Sequence, residues 1–330
     1  MTGSGLFPGP REICYKHPAE WNCHDEKGTH SMPLTSEEER EVGKNIFPGA
    51  AHVLAGPAFP WHRDSKGDVT AGRLQSSQAL AIDVFGTLKA LKKPSLIIDA
   101  LMEKMGIPET GQWKIKLERT ISPTVLGEPR PTQVDASAES ETALVFFECK
   151  FTETDGGACS QTKRIGGRSR NRGMRQCSGD YVMQVNPVNG VRSRCALTGK
   201  GILYWEYVPR VLEIDSATDH RPCPFRGGWY QWMRNLVACD AIAQASGNRG
   251  IFVVLYADGP FAMAEKVASP EWRDFCSLTE GKAVKFITLS YQDFLACTTA
   301  AAAPPDVQVL TRLRDWVNGK IDTVGNSTNP

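Results

Sequence analysis

The chain has 330 residues, 41% of them hydrophobic, and a formal net charge of +1. That is room for one large or two modest domains with a real core, and it excludes a globally basic coat for nucleic acid, so affinity for a polyanion has to come from local clustering. The Gly- and Pro-rich start lacks the charge-then-apolar order of a secretory signal, no apolar run reaches bilayer length, and ten cysteines then read as reduced thiols or metal ligands of a cytoplasmic protein rather than a disulfide framework.

Residues 1–68 read as an irregular N-terminal extension rich in Pro, Gly and His. One helix is expected there, over 35–45, with Thr35 or Ser36 as N-cap and an acidic first turn of Glu37, Glu38 and Glu39. Cys14, His17, Cys23 and His24 cluster in this extension but fit no zinc spacing, and read as surface and packing residues. Residues 74–91 predict an amphipathic helix capped by Ser76 or Ser77, with Leu80, Val84, Phe85, Leu88 and Leu91 on one stripe and Asp83 on the polar side. A short helix follows over 95–105. The alternation in 112–121 then sets Trp113, Ile115 and Leu117 inward and Lys114, Lys116 and Glu118 outward, as in a half-buried strand.

Residues 131–153 carry the most information. The apolar, aromatic run ALVFFECKF at 143–151 predicts a central strand, Val134 gives the preceding segment β character, and the small polar stretch 136–142 reads as their turn. On a strand, Glu148 and Lys150 share one face while Phe147, Cys149 and Phe151 take the other. Asp135, near the end of the partner strand, can be brought beside them. Two carboxylates and an ammonium at the end of a buried sheet are costly unless a cation or an anionic substrate joins them.

After a long excursion, 225–246 predict a second helix with Trp229, Trp232, Met233, Leu236 and Val237 as its apolar side, and GIFVVLY at 250–256 predicts a buried strand. Asp135 followed by Glu148-Cys149-Lys150, in an α-β-β-β-α-β order, resembles the PD-(D/E)XK nuclease superfamily of restriction-endonuclease-like proteins. The resemblance covers roughly residues 74–256. It implies an α/β fold with a mixed central sheet flanked by helices, one nuclease domain over 69–330, and an insertion at 154–226 between the ExK strand and the next helix. Beyond it come a helix at 270–278, a strand at 283–289, a helix at 290–297, and a last helix over 306–320 capped by Asp306, with a frayed end.

The resemblance further implies a metal-dependent DNA endonuclease. Asp135, Glu148 and the main-chain carbonyl of Cys149 would hold Mg²⁺ or Mn²⁺, and Lys150 would orient or deprotonate the attacking water or neutralise charge on the phosphate. A metal beside Lys150 should lower its pKa, as a base requires. Gln231 and Asn235, one turn apart and off the apolar stripe, are either an active-site face, Gln231 foremost, or a solvated helix side. On the first helix Ser77 and Gln78 could approach the same site, although capping accounts for at least the serine.

Two features of the insertion lie outside that core. Cys159, Cys177, Cys195 and Cys223 fall within one loop-rich excursion, and long structureless loops need something to hold them. A zinc site built from the four thiols would do so; an iron–sulfur cluster or plain packed thiols are the other readings, since no CxxC pair is present. Lys163, Arg164, Arg168, Arg170, Arg172 and Arg175, interleaved with glycines, suit a phosphate backbone and make DNA the expected partner; Arg192 and Arg194 follow. No membrane partner is expected, and cutting both strands would suit a homodimer. The readings from other classes are a non-catalytic nucleic-acid- or partner-binding module on the same fold, and an RNA nuclease.

Overall fold

The computed structural model describes residues 32–56, 59–170, 172–177, 179, 195–214 and 222–328. Cys14, His17, Cys23, His24, Arg192 and Arg194 lie outside the described residues. In chain order the helices are α1 (Ser36–Lys44), α2 (Ser77–Ala81), α3 (Thr87–Ala90) and α4 (Pro94–Lys104), then α5 (Pro123–Leu126), α6 (Tyr204–Val211) and α7 (Tyr230–Ser246), then α8 (Ala262–Ala268), α9 (Pro270–Thr279), α10 (Tyr291–Ala300) and α11 (Pro304–Thr328). The strands are β1 (Lys114–Ile121), β2 (Thr132–Glu139), β3 (Ala143–Lys150), β4 (Arg249–Tyr256) and β5 (Val284–Ser290).

The strands form one sheet in sequence order, β1-β2-β3-β4-β5. The β1/β2 and β2/β3 pairs are antiparallel, while β3/β4 and β4/β5 are parallel. This is the expected mixed α/β sheet flanked by helices, and it is compatible with a restriction-endonuclease-like fold. Every residue of β3 is buried, which is why it reads as an apolar run rather than an alternation. Its odd positions, Val145, Phe147 and Cys149, pack into a core with α2, α4, α10 and α11. Its even positions, Leu144 and Phe146, pack into a second core with α6, α7 and α9.

Several elements differ from their sequence signals. Residues 136–139, read as turn, belong to β2, because Ala136, Ser137 and Ala138 are small enough to be buried between neighbouring strands; the turn proper is 140–142. Residues 201–208 have β-type composition, yet 204–211 form α6, because Tyr204, Trp205, Val208 and Val211 repeat at helical spacing and all are buried. The last helix runs on past Lys320, where fraying was expected, and buries Ile321 and Val324. Within 33–68, α1 carries a full capping box from Thr35 and Glu38. Val42, Ile46, Ala50, Val53 and Trp61 pack with Ala79 and Ile82 in a third apolar cluster, so this stretch is laid onto the first helix of the core.

Asp83 explains how that stretch is held. Between α2 and α3 the helix widens into a π-helical turn, Ile82–Gly86, which carries Asp83 fully into the interior rather than onto a polar side. Its Oδ1 accepts from the Phe47 main-chain N–H at 2.6 Å, and its Oδ2 accepts from Trp316 Nε1 at 3.0 Å and Lys320 Nζ at 2.6 Å. Lys320 Nζ also donates to the Asn45 carbonyl. Burial pushes the Asp83 carboxyl up and the Lys320 ammonium down, each against the pull of the other. Removing one partner of such a pair strands the other in the core. Lys320→Met is therefore expected to cost about 3–5 kcal/mol at neutral pH. Because the folded-state pKa of Asp83 is raised, protonation favours the folded form, and the cost should shrink as pH falls. Urea denaturation of both proteins across pH measures this, and a cost that does not change with pH contradicts it.

Candidate active site

The acids meet where the sheet changes face. The β1/β2 register is the same on either side of residue 118, Leu117 opposite Ala136 and Arg119 opposite Val134, so Glu118 lies level with Asp135 although these two are not themselves paired in the ladder. The β2/β3 ladder ends at Ala136 opposite Phe147, and one more step would set Asp135 against Glu148. Glu118, Asp135 and Glu148 thus form a row across three adjacent strands.

At this level both β1 and β2 swap cores. Ile115 packs in the first core and Ile121 in the second, although six residues apart on a regular strand they would share a face. On β2 the same exchange separates Val134 from Ala136 and Ala138. The cause is local: Glu118 has φ 46°, a left-handed backbone for a non-glycine residue. Such a conformation costs of order 1–3 kcal/mol and persists only where the surroundings over-determine it. Here Glu118 Oε1 accepts from Gln78 Nε2 at 2.6 Å and stands 3.5 Å from His62 Nε2. Gln78 is itself fixed, bonding the Pro60 carbonyl and the His62 main-chain N–H. Glu118 is buried, not on the solvent side that alternation assigned to it.

Beyond the end of the ladder, Asp135 replaces a main-chain partner with its side chain: Oδ2 accepts from the Cys149 N–H at 2.6 Å. Glu148 and Lys150, on the shared face of β3, are ion-paired, Nζ to Oε1 at 2.8 Å, and both are almost wholly buried. Helix α7 completes the group. Lys150 Nζ donates to Gln231 Oε1 at 2.9 Å, and Asn235 Nδ2 donates to Glu148 Oε2 at 2.7 Å. The structure therefore brings Asp135, Glu148, Lys150, Gln231 and Asn235 together. Glu153 sits to one side and accepts from the Phe151 N–H.

Helix α7 keeps its place because the chain returns to where it left. Gly156 bonds Gly228 and Gln231 through the main chain at 2.7 and 2.8 Å. A Cβ on Gly156 would lie 2.8 Å from the Trp232 ring, and one on Gly228, at φ 90°, would lie 2.6 Å from the Asp155 carboxylate. Neither position admits a side chain without displacement. Below them Trp229, Trp232, Trp272 and Phe275 interlock, with ring centroids 4.3–6.5 Å apart.

The charges do not balance. Three carboxylates face one ammonium and a partly exposed imidazole. Burial, then Glu148 and Glu118, hold the Asp135 carboxyl well above the usual range. Burial opposes charge on Lys150, but Glu148 and Asp135 prevail and hold its pKa above the ordinary lysine value. Lys150 is thus a fixed cation in this arrangement, not the depressed base that a neighbouring metal would favour. Burial likewise opposes charge on His62, and Glu118 outweighs it and raises the imidazole. Glu118 Oε2 and Glu148 Oε1 are buried with no aligned hydrogen bond. His62, Glu118, Asp135, Gln231 and Arg234 line a cleft of about 260 Å³ beside this row.

Among the described residues no group of three or more His, Cys, Asp or Glu side chains is arranged to hold a metal ion as it stands. Two carboxylates and a main-chain oxygen are a smaller set, of the kind that Mg²⁺ completes with water. Buried carboxylate oxygens without aligned donors, in a group with excess negative charge, fit such an ion.

In the insertion, 163–175 fold back as a small hairpin, with Ile165 N to Met174 O and Gly173 N to Ile165 O both at 2.8 Å. Lys163, Arg164, Arg168, Arg170, Arg172 and Arg175 are all exposed on it. Cys159, Cys177, Cys195 and Cys223 line one small cavity at its base. Among the described residues no helix is long and apolar enough to cross a membrane.

Comparison with known proteins gives one family. The model described as "Restriction Endonuclease associating with ARP" matches residues 10–315. No curated protein and no solved structure matches the chain.

Asn235 tests how the acid row is held. Truncation to Ala removes the donor to a buried carboxylate and is expected to cost about 1–3 kcal/mol in urea denaturation. In a Glu148→Leu background the same truncation should cost little, because nothing is left for the amide to satisfy. Additive costs in this double-mutant cycle would contradict the coupling.

Proposed function

The chain belongs to the restriction endonuclease family associating with ARP, and on that premise we propose that it hydrolyses phosphodiester bonds of DNA with a divalent ion held by Asp135, Glu148 and the Cys149 carbonyl. The observation that carries this reading is the buried excess of carboxylate just past the end of the β2/β3 ladder, set beside an ammonium locked in place by Glu148 and Gln231. When bound, Mg²⁺ or Mn²⁺ would supply Lewis-acid polarisation of the phosphate and a water of lowered pKa.

The chain's own residues do the remainder. Lys150, charged and held at 2.8 and 2.9 Å from its two partners, offers its ammonium to charge building on the phosphate oxygens. Gln231 fixes the direction of that ammonium, and Asn235 holds the second Glu148 oxygen so that the first stays turned toward Lys150. Arg234, on the cleft wall, offers a guanidinium to a neighbouring phosphate. The exposed basic hairpin 163–175 is the further contact to the backbone of DNA. The family's description, restriction endonuclease associating with ARP, supports DNA as the substrate and ARP as a partner.

The assignment has two tests. Asp135→Asn and Lys150→Met should each abolish Mg²⁺-dependent nicking of plasmid DNA while binding in a gel-shift assay persists. Cleavage at the wild-type rate by both variants refutes the site, and cleavage of RNA alone in a substrate panel refutes the substrate. Replacing Arg168, Arg170 and Arg172 with Ala should flatten the salt dependence of binding by up to about 0.9 log–log units for each phosphate that is no longer neutralised. An unchanged slope removes the hairpin from the interface.

A further inference from the structure

The insertion holds a second cluster with chemistry of its own. Cys159, Cys177, Cys195 and Cys223 come from four turns separated by wide gaps in the sequence, yet all four line one cavity of about 20 Å³. That is room for a single ion or a single water. Water is a poor occupant there, because sulfur is a weak hydrogen-bonding partner and a buried water needs two to four polar ones.

The turns that carry these thiols share a geometry. The main-chain N–H of Gly179 donates to Cys177 Sγ at 3.3 Å. The Gln161 and Phe225 main chains make the same contact, two residues on, to Cys159 and Cys223. Three N–H groups aimed at three sulfurs favour thiolate, and orienting donors of this kind surround metal-bound ligands. The turns are also laced to one another: Cys177 N donates to Gln161 O at 3.0 Å, and Cys223 N to Gly179 O at 3.1 Å. None of the four cysteines is in a disulfide.

We propose that Cys159, Cys177, Cys195 and Cys223, which line one cavity but are not set as they stand to hold an ion, draw together on one structural Zn²⁺ that closes the insertion onto itself. A zinc centre with four thiolate ligands carries excess negative charge, and Lys200 beside Cys159 and Arg226 on the cavity wall offset it. The site is of the closed type, with four protein ligands and no position for a substrate, so its contribution is to folding. The surrounding packing fits that role. Cys159 and Cys195 lie in the second core with Leu197, Tyr204 and Phe225, so a bound ion would tie the base of the basic hairpin to the layer that carries α7. This inference does not depend on the nuclease reading, because the two sites share no residue.

The full-length chain, purified under reducing conditions without added chelator, should carry about one zinc per molecule by elemental analysis. Stripped and refilled with Co²⁺, it should show the thiolate charge-transfer and tetrahedral d–d bands of a sulfur-ligated site. Cys177→Ser and Cys223→Ser should lower the zinc content to near zero and expose the insertion to limited proteolysis. Cys297→Ser, outside the cavity, should leave both unchanged. The cobalt spectrum of the unmutated chain keeps the proposal falsifiable if the serine variants fail to fold. It is overturned if the chain neither copurifies with zinc nor gives those bands on reconstitution. Iron with acid-labile sulfide in place of zinc, or retention of zinc by both serine variants, overturns it equally.

Discussion

A row of three carboxylates across three adjacent strands, answered by one buried ammonium, is the constraint on which the rest depends. Glu118, Asp135 and Glu148 could not occupy such a row in a dry sheet without compensation, because like charges at neighbouring strand positions repel and burial adds to the cost. Each is answered differently: Glu118 by Gln78 and His62, Asp135 by the Cys149 N–H, and Glu148 by Lys150 and Asn235. The answers come from α2, from the main chain of β3 and from α7. The acid row therefore dictates where the surrounding helices stand as much as the apolar cores do.

What was legible in the sequence was whatever obeyed a period. The apolar run of β3, the shared face of Glu148 and Lys150, and the four-residue spacing of Gln231 and Asn235 all follow from ideal geometry, and the structure gathers those residues. What was illegible were two breaks in period. At Glu118 a single left-handed residue turns the strand over, so a glutamate assigned to the solvent side by alternation is buried. At Ile82–Gly86 an extra residue in the helical turn carries Asp83 from the polar side of the stripe into the core. Neither break has a glycine or proline to announce it at the residue concerned. The available signal was indirect: Gln78, shortly before Asp83, is followed by Ala79, Leu80 and Ala81, all apolar and buried, and a buried amide has to have a partner.

Helix α6 shows composition and spacing in conflict. Its Tyr, Trp and Val content suits a strand, and its spacing suits a helix; spacing won because the face it presents fills the second core beside α7. Propensity describes what a residue tolerates, whereas period describes what the core receives. The same distinction applies to the four insertion cysteines. Their gaps match no compact metal motif, because each stands on a separate turn, and main-chain hydrogen bonds between the turns do what short spacing does elsewhere.

The insertion's attachment explains why so long an excursion is compatible with a buried charged site. It leaves β3 just after Lys150 and returns through Gly228 to Gln231, with Gly156 hydrogen-bonded to both ends of that return. Lys150 meets Gln231 at that tie, where a shift of the α7 N-terminus would break the 2.9 Å hydrogen bond first. The two glycines without room for a Cβ thus bear on the charged site although neither touches a charge of the acid row: they let the chain close tightly enough that an amide on α7 and an ammonium on β3, 81 residues apart, keep a fixed separation.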